Sequence, residues 1–211
     1  AGYRITSYGP PERQGIVHRL DVGTSGAMMV AKSELAYTVM KRAFKERTIE
    51  KVYHAVVAGH LDPASGTIDA PIGRHPSREW RMAVIDGGKR AVTHYDTLEL
   101  MAGAQLTEVH LETGRTHQIR VHIASSGFSI VCDPLYGGNQ KPVRLSEIKK
   151  KWNGDETEER PLLKRLALHA YKIEFAHPRT GEKVSFTAEY PKDMEATRKQ
   201  LANLFNVDPL A

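Results

Sequence analysis

Near its start the chain carries a dense polar stretch, His18-Arg19-Leu20-Asp21-Val22-Gly23-Thr24-Ser25-Gly26. Its last four residues are two glycines and two hydroxyl residues, a composition that predicts a tight turn. An apolar run at residues 27–31 follows and predicts a short buried strand. We therefore expect the turn to hold Asp21 at the rim of a sheet, where backbone and hydroxyl donors favour the ionised carboxylate.

Two interpretations of Asp21 follow from this local pattern. A held, ionised carboxylate suits nucleophilic or general-base chemistry. Alternatively, Asp21 only caps the turn and forms an ion pair with Arg19, because aspartates are common in turns. The stretch alone leaves both interpretations open.

A second polar stretch lies in the middle of the chain, Thr113-Gly114-Arg115-Thr116-His117-Gln118-Ile119-Arg120-Val121-His122. Thr116 is predicted to cap a helix over residues 116–126. On that helix His117 and Arg120 lie three residues apart and share a face. The guanidinium of Arg120 suits bidentate binding of a carboxylate or phosphate, and the free N–H groups of the helix start suit an anion. The alternative is an ordinary helix cap followed by a solvated basic face.

Hydrophobic periodicity predicts the remaining secondary structure. Helical spacing marks residues 33–46, with Ser33 as the N-cap, and residues 193–205. Strands are predicted at residues 27–31, 49–58, 81–85, 90–98, 104–112, 167–175 and 183–188. The predicted hairpins surround Asp86-Gly87-Gly88 and Arg179-Thr180-Gly181, and the predicted loops cover residues 1–14, 66–76 and 133–151, the last ending in a short basic helix. Because the strands cluster with few intervening helices, we expect an α+β fold with a mixed, mostly antiparallel sheet.

The composition is that of an ordinary globular chain with a basic balance. The 211 residues include 30 Lys and Arg against 25 Asp and Glu, for a net charge of +5, and 40% are hydrophobic, which excludes a disordered or fibrous chain. One cysteine excludes a disulfide scaffold and favours a reducing compartment such as the cytoplasm. The apolar runs are far shorter than the ~20 residues that span a bilayer.

Basic residues form three groups, of which the second and third would suit a phosphate backbone if they lined a groove. The groups are Lys41, Arg42, Lys45, Arg47 and Lys51; Arg74, His75, Arg78 and Arg81; and Lys141, Arg144, Lys149, Lys150 and Lys151. Charge runs of this kind are also typical of solvated faces. The motifs of common cofactor sites are missing, since the sequence has no His-Glu-x-x-His, no cysteine pair, no P-loop and no dinucleotide fingerprint. We therefore predict no metal site.

Taken together, the polar stretches resemble the motifs of the RluA-type RNA pseudouridine synthases. Residues 18–26 resemble the catalytic motif, and residues 111–122 resemble the third motif. The second motif is matched by Lys51-x-Tyr53-x-Ala55-x-Val57-x-Gly59, whose strand tyrosine by itself predicts only packing. Leu168-His169-Ala170 and His177-Pro178 fit the closing strands of the family. The resemblance extends from Gly15 to about Met194.

The resemblance implies a pseudouridine synthase fold, a bent sheet flanked by helices with an RNA-binding active-site cleft. It implies a cofactor-free isomerase that detaches a uracil from its ribose, rotates it and rejoins it through carbon. Residues 72–76 and 82–84 favour the members that modify large-subunit ribosomal RNA, and hence a part in rRNA processing, with transfer RNA as the alternative substrate. A monomer is the expected oligomeric state.

The resemblance also implies roles for individual residues. Asp21 is the expected catalytic carboxylate, which either adds to the sugar or drives elimination to a glycal. Tyr53 is expected to stack on the target base and to move a proton, and Arg120 to pair with Asp21. Arg19 is expected to help extrude the uridine, because a base must leave the stack before its glycosidic bond can be reached. The further expected substrate-binding residues are His18, Thr24, Arg115, His117 and Gln118.

One departure from the family concerns the start of the chain. Members usually carry an upstream strand with a Lys-Pro motif, and many carry an S4-type RNA-binding domain, neither of which is found in this sequence. We therefore expect residues 1–211 to be a catalytic domain cut from a longer protein, with a sheet that lacks an edge strand and with reduced RNA affinity. The competing hypotheses are an RNA-binding module without catalysis, a metal-dependent phosphodiesterase and a structural ribosome-associated protein.

Overall fold

The computed structural model describes residues 4–138, 141–149 and 151–207. Within these residues the helices are α1 (Glu34–Glu46), α2 (Gln118–Ser125), α3 (Leu145–Ile148) and α4 (Lys192–Val207). The strands are β1 (Ser25–Gly26), β2 (Glu50–Ala58), β3 (Ser65–Asp69), β4 (Ile72–His75), β5 (Arg78–Val84), β6 (Val92–Met101), β7 (Ala104–Leu111), β8 (Ser129–Ile130), β9 (Leu168–Ala176) and β10 (Lys183–Thr187). Residues 1–3 of the predicted first loop and Lys150 of the third basic group lie outside the described residues.

Eight of these strands form one mixed sheet in the order β1-β9-β2-β7-β6-β3, in which β10 also pairs with β9 and β8 with β2. Among the described strands of this sheet, only β1 and β9 pair in parallel. The central strand β2 is buried from Val52 to Val57, and its neighbours β7 and β9 carry much of the main core. The α+β prediction with a mostly antiparallel sheet is confirmed.

Several predicted elements are confirmed with small changes at their ends. The predicted helix at residues 33–46 is α1, and the Ser33 hydroxyl caps it by accepting a hydrogen bond from the Ala36 N–H at 3.2 Å. The strands predicted at residues 49–58 and 104–112 are β2 and β7. The predicted hairpin near the C-terminus is β9 and β10, and the last helix is α4.

The buried strand predicted at residues 27–31 is wrong. The strand here is the two-residue β1, and Met28 and Val30 are 47% and 43% exposed. The reason lies in β9, whose edge opposite β2 pairs with β1 only at His169 and Ala170, while β10 takes that edge from residue 172 onward. The chain therefore leaves the sheet directly after Gly26.

The middle of the chain also differs from its prediction. The loop expected at residues 66–76 contains β3 and β4, and the hairpin expected around Asp86-Gly87-Gly88 is wrong. The turn forms, with a hydrogen bond from the Gly88 N–H to the Ile85 carbonyl at 3.1 Å, but it joins two different sheets. β5 pairs with β4 in a separate two-stranded sheet, and β6 pairs with β3 and β7. A small core of Ile72, Ala91 and Val121 anchors β4 beside α2 and so favours this pairing.

The predicted start of the central helix is wrong by two residues. α2 begins at Gln118, and its N-cap is His117, which has a left-handed φ of 55°. The side chain of Gln118 accepts hydrogen bonds from the Thr113 hydroxyl and the Arg115 N–H, and this holds the preceding residues in a loop. The short basic helix expected before residue 151 is α3, whose four residues include no basic side chain. No helix in the described part of the chain has the length and apolarity to cross a membrane.

Candidate active site

A cleft of about 440 Å³ opens where the turn after residue 18, β2 and the loop between β7 and α2 meet. Its lining includes seven of the nine residues that the sequence predicts for the site, namely His18, Arg19, Asp21, Thr24, Tyr53, Arg115 and Gln118. Arg120 reaches Asp21 without lining the cleft, and His117 lies outside it. Segments that are far apart in the sequence therefore meet at one place.

The turn that carries Asp21 is fixed to the sheet by its backbone. The Thr24 N–H donates to the Asp21 carbonyl at 3.0 Å, and β1 then pairs with β9. Gly26 has a φ of 110°, and a Cβ at this position would lie 2.2 Å from the Ala170 carbonyl oxygen. Only glycine fits here, since any side chain would push the turn away from β9.

Arg165 clamps the same turn from the C-terminal side of the chain. One guanidinium nitrogen donates to the Gly23 carbonyl and to the Ser25 hydroxyl, both at 3.2 Å. Two other nitrogens of the guanidinium bind both carboxylate oxygens of Asp193 at 2.7 Å. Because Asp193 lies in the first turn of α4, the last helix helps to position the segment that holds Asp21.

Of the two arginines considered as partners of the Asp21 carboxylate, the structure brings Arg120 close to it, as the resemblance implies. The ion-pair partner of Asp21 among the described residues is Arg120, whose Nη1 lies 3.7 Å from Oδ2, and not Arg19. The side chain of Asp21 is 18% exposed and that of Arg120 is 3% exposed. The expected hydroxyl donor is wrong, because the Thr24 hydroxyl is buried without a hydrogen-bond partner among the described residues. Arg120 is therefore a buried cation next to a carboxylate that faces the cleft.

Arg120 makes its closest contacts with Asp133, a residue that the sequence analysis missed. Nε and Nη2 of Arg120 donate to the two carboxylate oxygens at 2.8 Å, and both side chains are buried. Burial opposes both charges, but the hydrogen bonds between them outweigh it, so that the pKa of Arg120 is raised and that of Asp133 is lowered. The sequence signal was a carboxylate directly after the apolar residues 130–132, where a buried charge needs a partner.

Tyr53 lies on β2 with 9% of its surface exposed and faces the cleft. Burial, followed by the nearby negative charge of Asp21, raises the pKa of Tyr53 to about 12. The phenol is therefore neutral near pH 7. It presents a flat apolar ring together with a hydroxyl that can both donate and accept a hydrogen bond.

His18 contributes to the wall of the cleft and to the shape of the turn. Its Nε2 accepts a hydrogen bond from the Met29 N–H at 2.9 Å, and its ring stacks on Phe44 with the centroids 4.7 Å apart. Burial, followed by the charge of Lys51, lowers the pKa of His18 to about 4. The imidazole is neutral at pH 7, and only Nδ1–H is left for a ligand.

The remaining expected substrate-binding residues differ in how much of their hydrogen-bonding capacity is available to a ligand. The amide of Gln118 accepts two hydrogen bonds and donates two more, to the Val92 carbonyl and the Thr93 hydroxyl, so its side chain is saturated within the protein. The Nε of Arg115 donates to the Arg90 carbonyl at 2.9 Å, and its terminal nitrogens have no such bond within the described residues. His117 is engaged through Nδ1 with the Tyr136 hydroxyl at 2.9 Å.

The cleft carries a positive charge that suits an anionic ligand. Its lining combines two carboxylates, Asp21 and Glu112, with five cationic side chains, namely Arg19, Lys45, Arg47, Lys51 and Arg115. Five cations around a concave site attract a polyanion, and the Asp21 carboxylate, which is 18% exposed, lies in the same cleft. Among the described residues, no group of three or more His, Cys, Asp or Glu side chains is arranged to hold a metal ion.

Comparison with known proteins identifies the family to which this fold belongs. A profile of the family described as RNA pseudouridylate synthase matches residues 3–125. An uncharacterized RNA pseudouridine synthase of Mycobacterium bovis is 52% identical over 201 residues, which cover 95% of this chain and 60% of that protein. The ribosomal large subunit pseudouridine synthase D of Pseudomonas aeruginosa is 42% identical over 191 residues, which cover 90% and 58%.

A solved structure shows the same fold. Human RNA pseudouridylate synthase domain containing 1 superposes with a TM-score of 0.65 at 30% identity, over 83% of this chain and 68% of that one. The chain belongs to the RNA pseudouridylate synthase family, and the resemblance to the RluA-type members is confirmed. It spans 58–60% of the length of the two curated relatives named above.

Proposed function

We propose that this chain isomerises uridine to pseudouridine in RNA, with large-subunit ribosomal RNA as its substrate. The observation that carries the proposal is the cleft-facing Asp21 carboxylate, 3.7 Å from the buried guanidinium of Arg120 and next to Tyr53. The choice of RNA rests on the family and on the name of the Pseudomonas aeruginosa relative. The proposal places residues 1–211 in a catalytic domain that acts as a monomer in the cytoplasm.

The reaction needs a carboxylate but no oxidation. The bond between uracil N1 and ribose C1′ breaks, the base turns, a bond from C5 to C1′ forms, the C5 proton leaves and N1 gains a proton. Asp21 either adds to C1′, from which C5 then displaces it, or removes a proton from the sugar to give a glycal and returns that proton when C5 bonds to C1′. A carboxylate serves both routes. Arg120 keeps the carboxylate charged and oriented while Asp133 holds Arg120 from behind.

Tyr53 and the basic rim serve the substrate in this proposal. A uridine must leave the base stack to reach Asp21, and an aromatic face holds the flipped base at a small energetic cost. The ring of Tyr53 supplies that face, and its neutral hydroxyl donates to or accepts from the base. Arg19 is exposed at the mouth of the cleft and takes the place that the uridine leaves in the RNA.

The test is tritium release from RNA labelled at uracil C5, because only C5–C1′ bond formation expels that hydrogen. Total RNA from a strain that lacks the enzyme is incubated with the wild-type chain, with Asp21→Asn, and with Asp96→Asn as a matched control at an exposed position of β6. We expect release by the wild type and Asp96→Asn, and none by Asp21→Asn. Release from large-subunit rRNA but not from tRNA supports the proposed substrate, and the reverse contradicts it.

A further inference from the structure

Tyr136 lies where three parts of the molecule meet: β5, the start of α2 and the loop that follows β8. Its hydroxyl accepts a hydrogen bond from the Met82 N–H at 2.9 Å and lies 2.9 Å from Nδ1 of His117. The hydroxyl oxygen therefore accepts from a backbone amide of β5 and also forms a hydrogen bond with the imidazole at the start of α2. Burial lowers the pKa of His117 against the opposing charge of Asp21, and the charge of Arg120 lowers it further.

The ring of Tyr136 contacts two guanidinium groups. The carbon at the centre of the Arg120 guanidinium lies 5.0 Å from the ring centroid, and that of Arg81 lies 4.9 Å from it. Both distances are in the range of cation–π interactions. The backbone N–H of Tyr136 also donates to Asp133 Oδ1 at 3.0 Å. Arg120 is therefore held by a carboxylate and an aromatic face that belong to one short loop.

The same residue connects this loop to the β4–β5 hairpin. The two strands of that hairpin form a separate two-stranded sheet, on which Trp80 is 62% exposed to solvent. Tyr136 and Met82 pack together against the small core that includes Val121 of α2. Arg81 has a buried Nε without a hydrogen-bond partner among the described residues, so its contact with the Tyr136 ring is a main attachment of its head group.

We propose that Tyr136 is a positioning residue with two separable parts: its ring orients Arg120 towards Asp21, and its hydroxyl couples Arg120 to the β4–β5 hairpin. The proposal rests on the proposed function. In this proposal, contact of the hairpin with RNA shifts Met82, and the Tyr136 hydroxyl moves with the Met82 N–H to which it is hydrogen-bonded. The Tyr136 ring then shifts the Arg120 guanidinium, which lies 3.7 Å from the catalytic carboxylate. The described contacts run without a break from Met82 through Tyr136 to Arg120, and the variants below test whether they couple the two sites.

Two variants of Tyr136 separate the ring from the hydroxyl. Tyr136→Phe keeps the ring, so we expect kcat for tritium release to stay within about twofold, while KM for RNA rises about 3- to 10-fold, the range expected for loss of the hydrogen bond to the Met82 N–H of the hairpin. Tyr136→Leu removes the ring, so we expect kcat to fall about 10- to 100-fold because Arg120 is misplaced. Urea denaturation of Tyr136→Leu separates the two causes, because the expected result is a variant that is folded at the assay temperature and still has the reduced kcat. Equal kcat values for the wild type and Tyr136→Leu would overturn the proposal.

A third variant keeps the test decisive if Tyr136→Leu folds poorly. Arg81→Met removes the second guanidinium from the ring and is expected to raise KM as Tyr136→Phe does. If both act through one coupling, the double variant Arg81→Met/Tyr136→Phe shows a smaller rise in KM than the product of the single effects. Strictly multiplicative effects would overturn the coupling. Absence of tritium release by the wild-type chain is a separate outcome, which would overturn the proposed function itself.

Discussion

Arg120 forms a bidentate ion pair with Asp133, in which both nitrogen–oxygen distances are 2.8 Å, whereas its Nη1 lies 3.7 Å from Oδ2 of Asp21. The two carboxylates therefore have different tasks. Asp133 neutralises and aims the buried guanidinium, while Asp21 remains 18% exposed and is not locked in a bidentate pair. A carboxylate held tightly by a guanidinium fork on both oxygens would be a poorer nucleophile or base, so the longer contact suits a reactive group.

Asp133→Asn tests the task of the buried partner. The substitution keeps the shape of the side chain and leaves the Arg120 cation short of a counter-charge, so we expect the free energy of unfolding to fall by about 3–5 kcal/mol. We expect kcat to fall as well, because Arg120 loses its orientation. Urea denaturation and tritium release measure the two effects. Asp96→Asn, at an exposed position, is expected to change stability by less than about 0.5 kcal/mol, and an equally small change in Asp133→Asn would contradict the assignment.

Tyr53→Phe tests the hydroxyl that faces the cleft. The ring remains, so the flipped base should still stack and the Kd for RNA should stay near the wild-type value. If the hydroxyl takes part in a proton step, kcat falls by about 10²- to 10⁴-fold. Single-turnover rates and binding isotherms on the same RNA separate the two quantities. A variant with the wild-type rate would restrict Tyr53 to stacking.

The pH dependence of stability tests the neutral state of His18. In the folded protein the pKa of His18 is about 4, below the ordinary value of 6.5. Above pH 6.5 the residue is neutral in the folded and in the unfolded chain, so it does not lower the free energy of unfolding. As the pH falls from 6.5 to 4, only the unfolded chain takes up the proton. The wild type then loses stability, by about 3 kcal/mol over this window from His18 alone.

His18→Gln is the matched variant for that measurement, because glutamine still offers an acceptor for the Met29 N–H but does not titrate. We expect the difference in free energy of unfolding between about pH 7 and pH 4.5 to be smaller in His18→Gln than in the wild type. Parallel curves for the two proteins would show that His18 is accessible to protons in the folded state.

The salt dependence of RNA binding tests the basic rim. Lys45 is exposed and lines the cleft, whereas Lys192 is exposed at the start of α4 and does not line it. If Lys45 neutralises one phosphate, Lys45→Gln weakens binding and lowers the slope of log K against log salt by about 0.7–0.9. Lys192→Gln should leave the slope unchanged. The same slope in both variants would place the RNA backbone elsewhere.

The sequence was sufficient for those parts of the site that lie in continuous motifs. Asp21 and Tyr53 each lie in a local motif, and the resemblance to the family predicts that Arg120 pairs with Asp21 without any knowledge of tertiary contacts. Asp133 and Tyr136 were not found, because their role depends on the approach of the loop after β8 to α2. No local pattern in the sequence encodes that distance.

The fold errors have a similar physical origin. The sequence predicts that the strand at residues 81–85 pairs with the strand after the Asp86-Gly87-Gly88 turn, but β5 pairs with β4 instead. The alternation of residues along a strand does not specify the strand with which it pairs. The apolar residues 27–31 resemble a buried strand by composition, yet β10 already takes the next part of the β9 edge. Competition for a shared edge is decided by tertiary structure.

The most direct measurement is single-turnover conversion of a large-subunit rRNA transcript by excess protein, with pseudouridine quantified by nucleoside chromatography after complete digestion. We expect the wild type to form pseudouridine and Asp21→Asn to form none while it binds the transcript with an unchanged Kd. Conversion by Asp21→Asn at the wild-type rate would show that the reaction does not depend on the carboxylate that faces the cleft, and Asp21 would then not be the catalytic group.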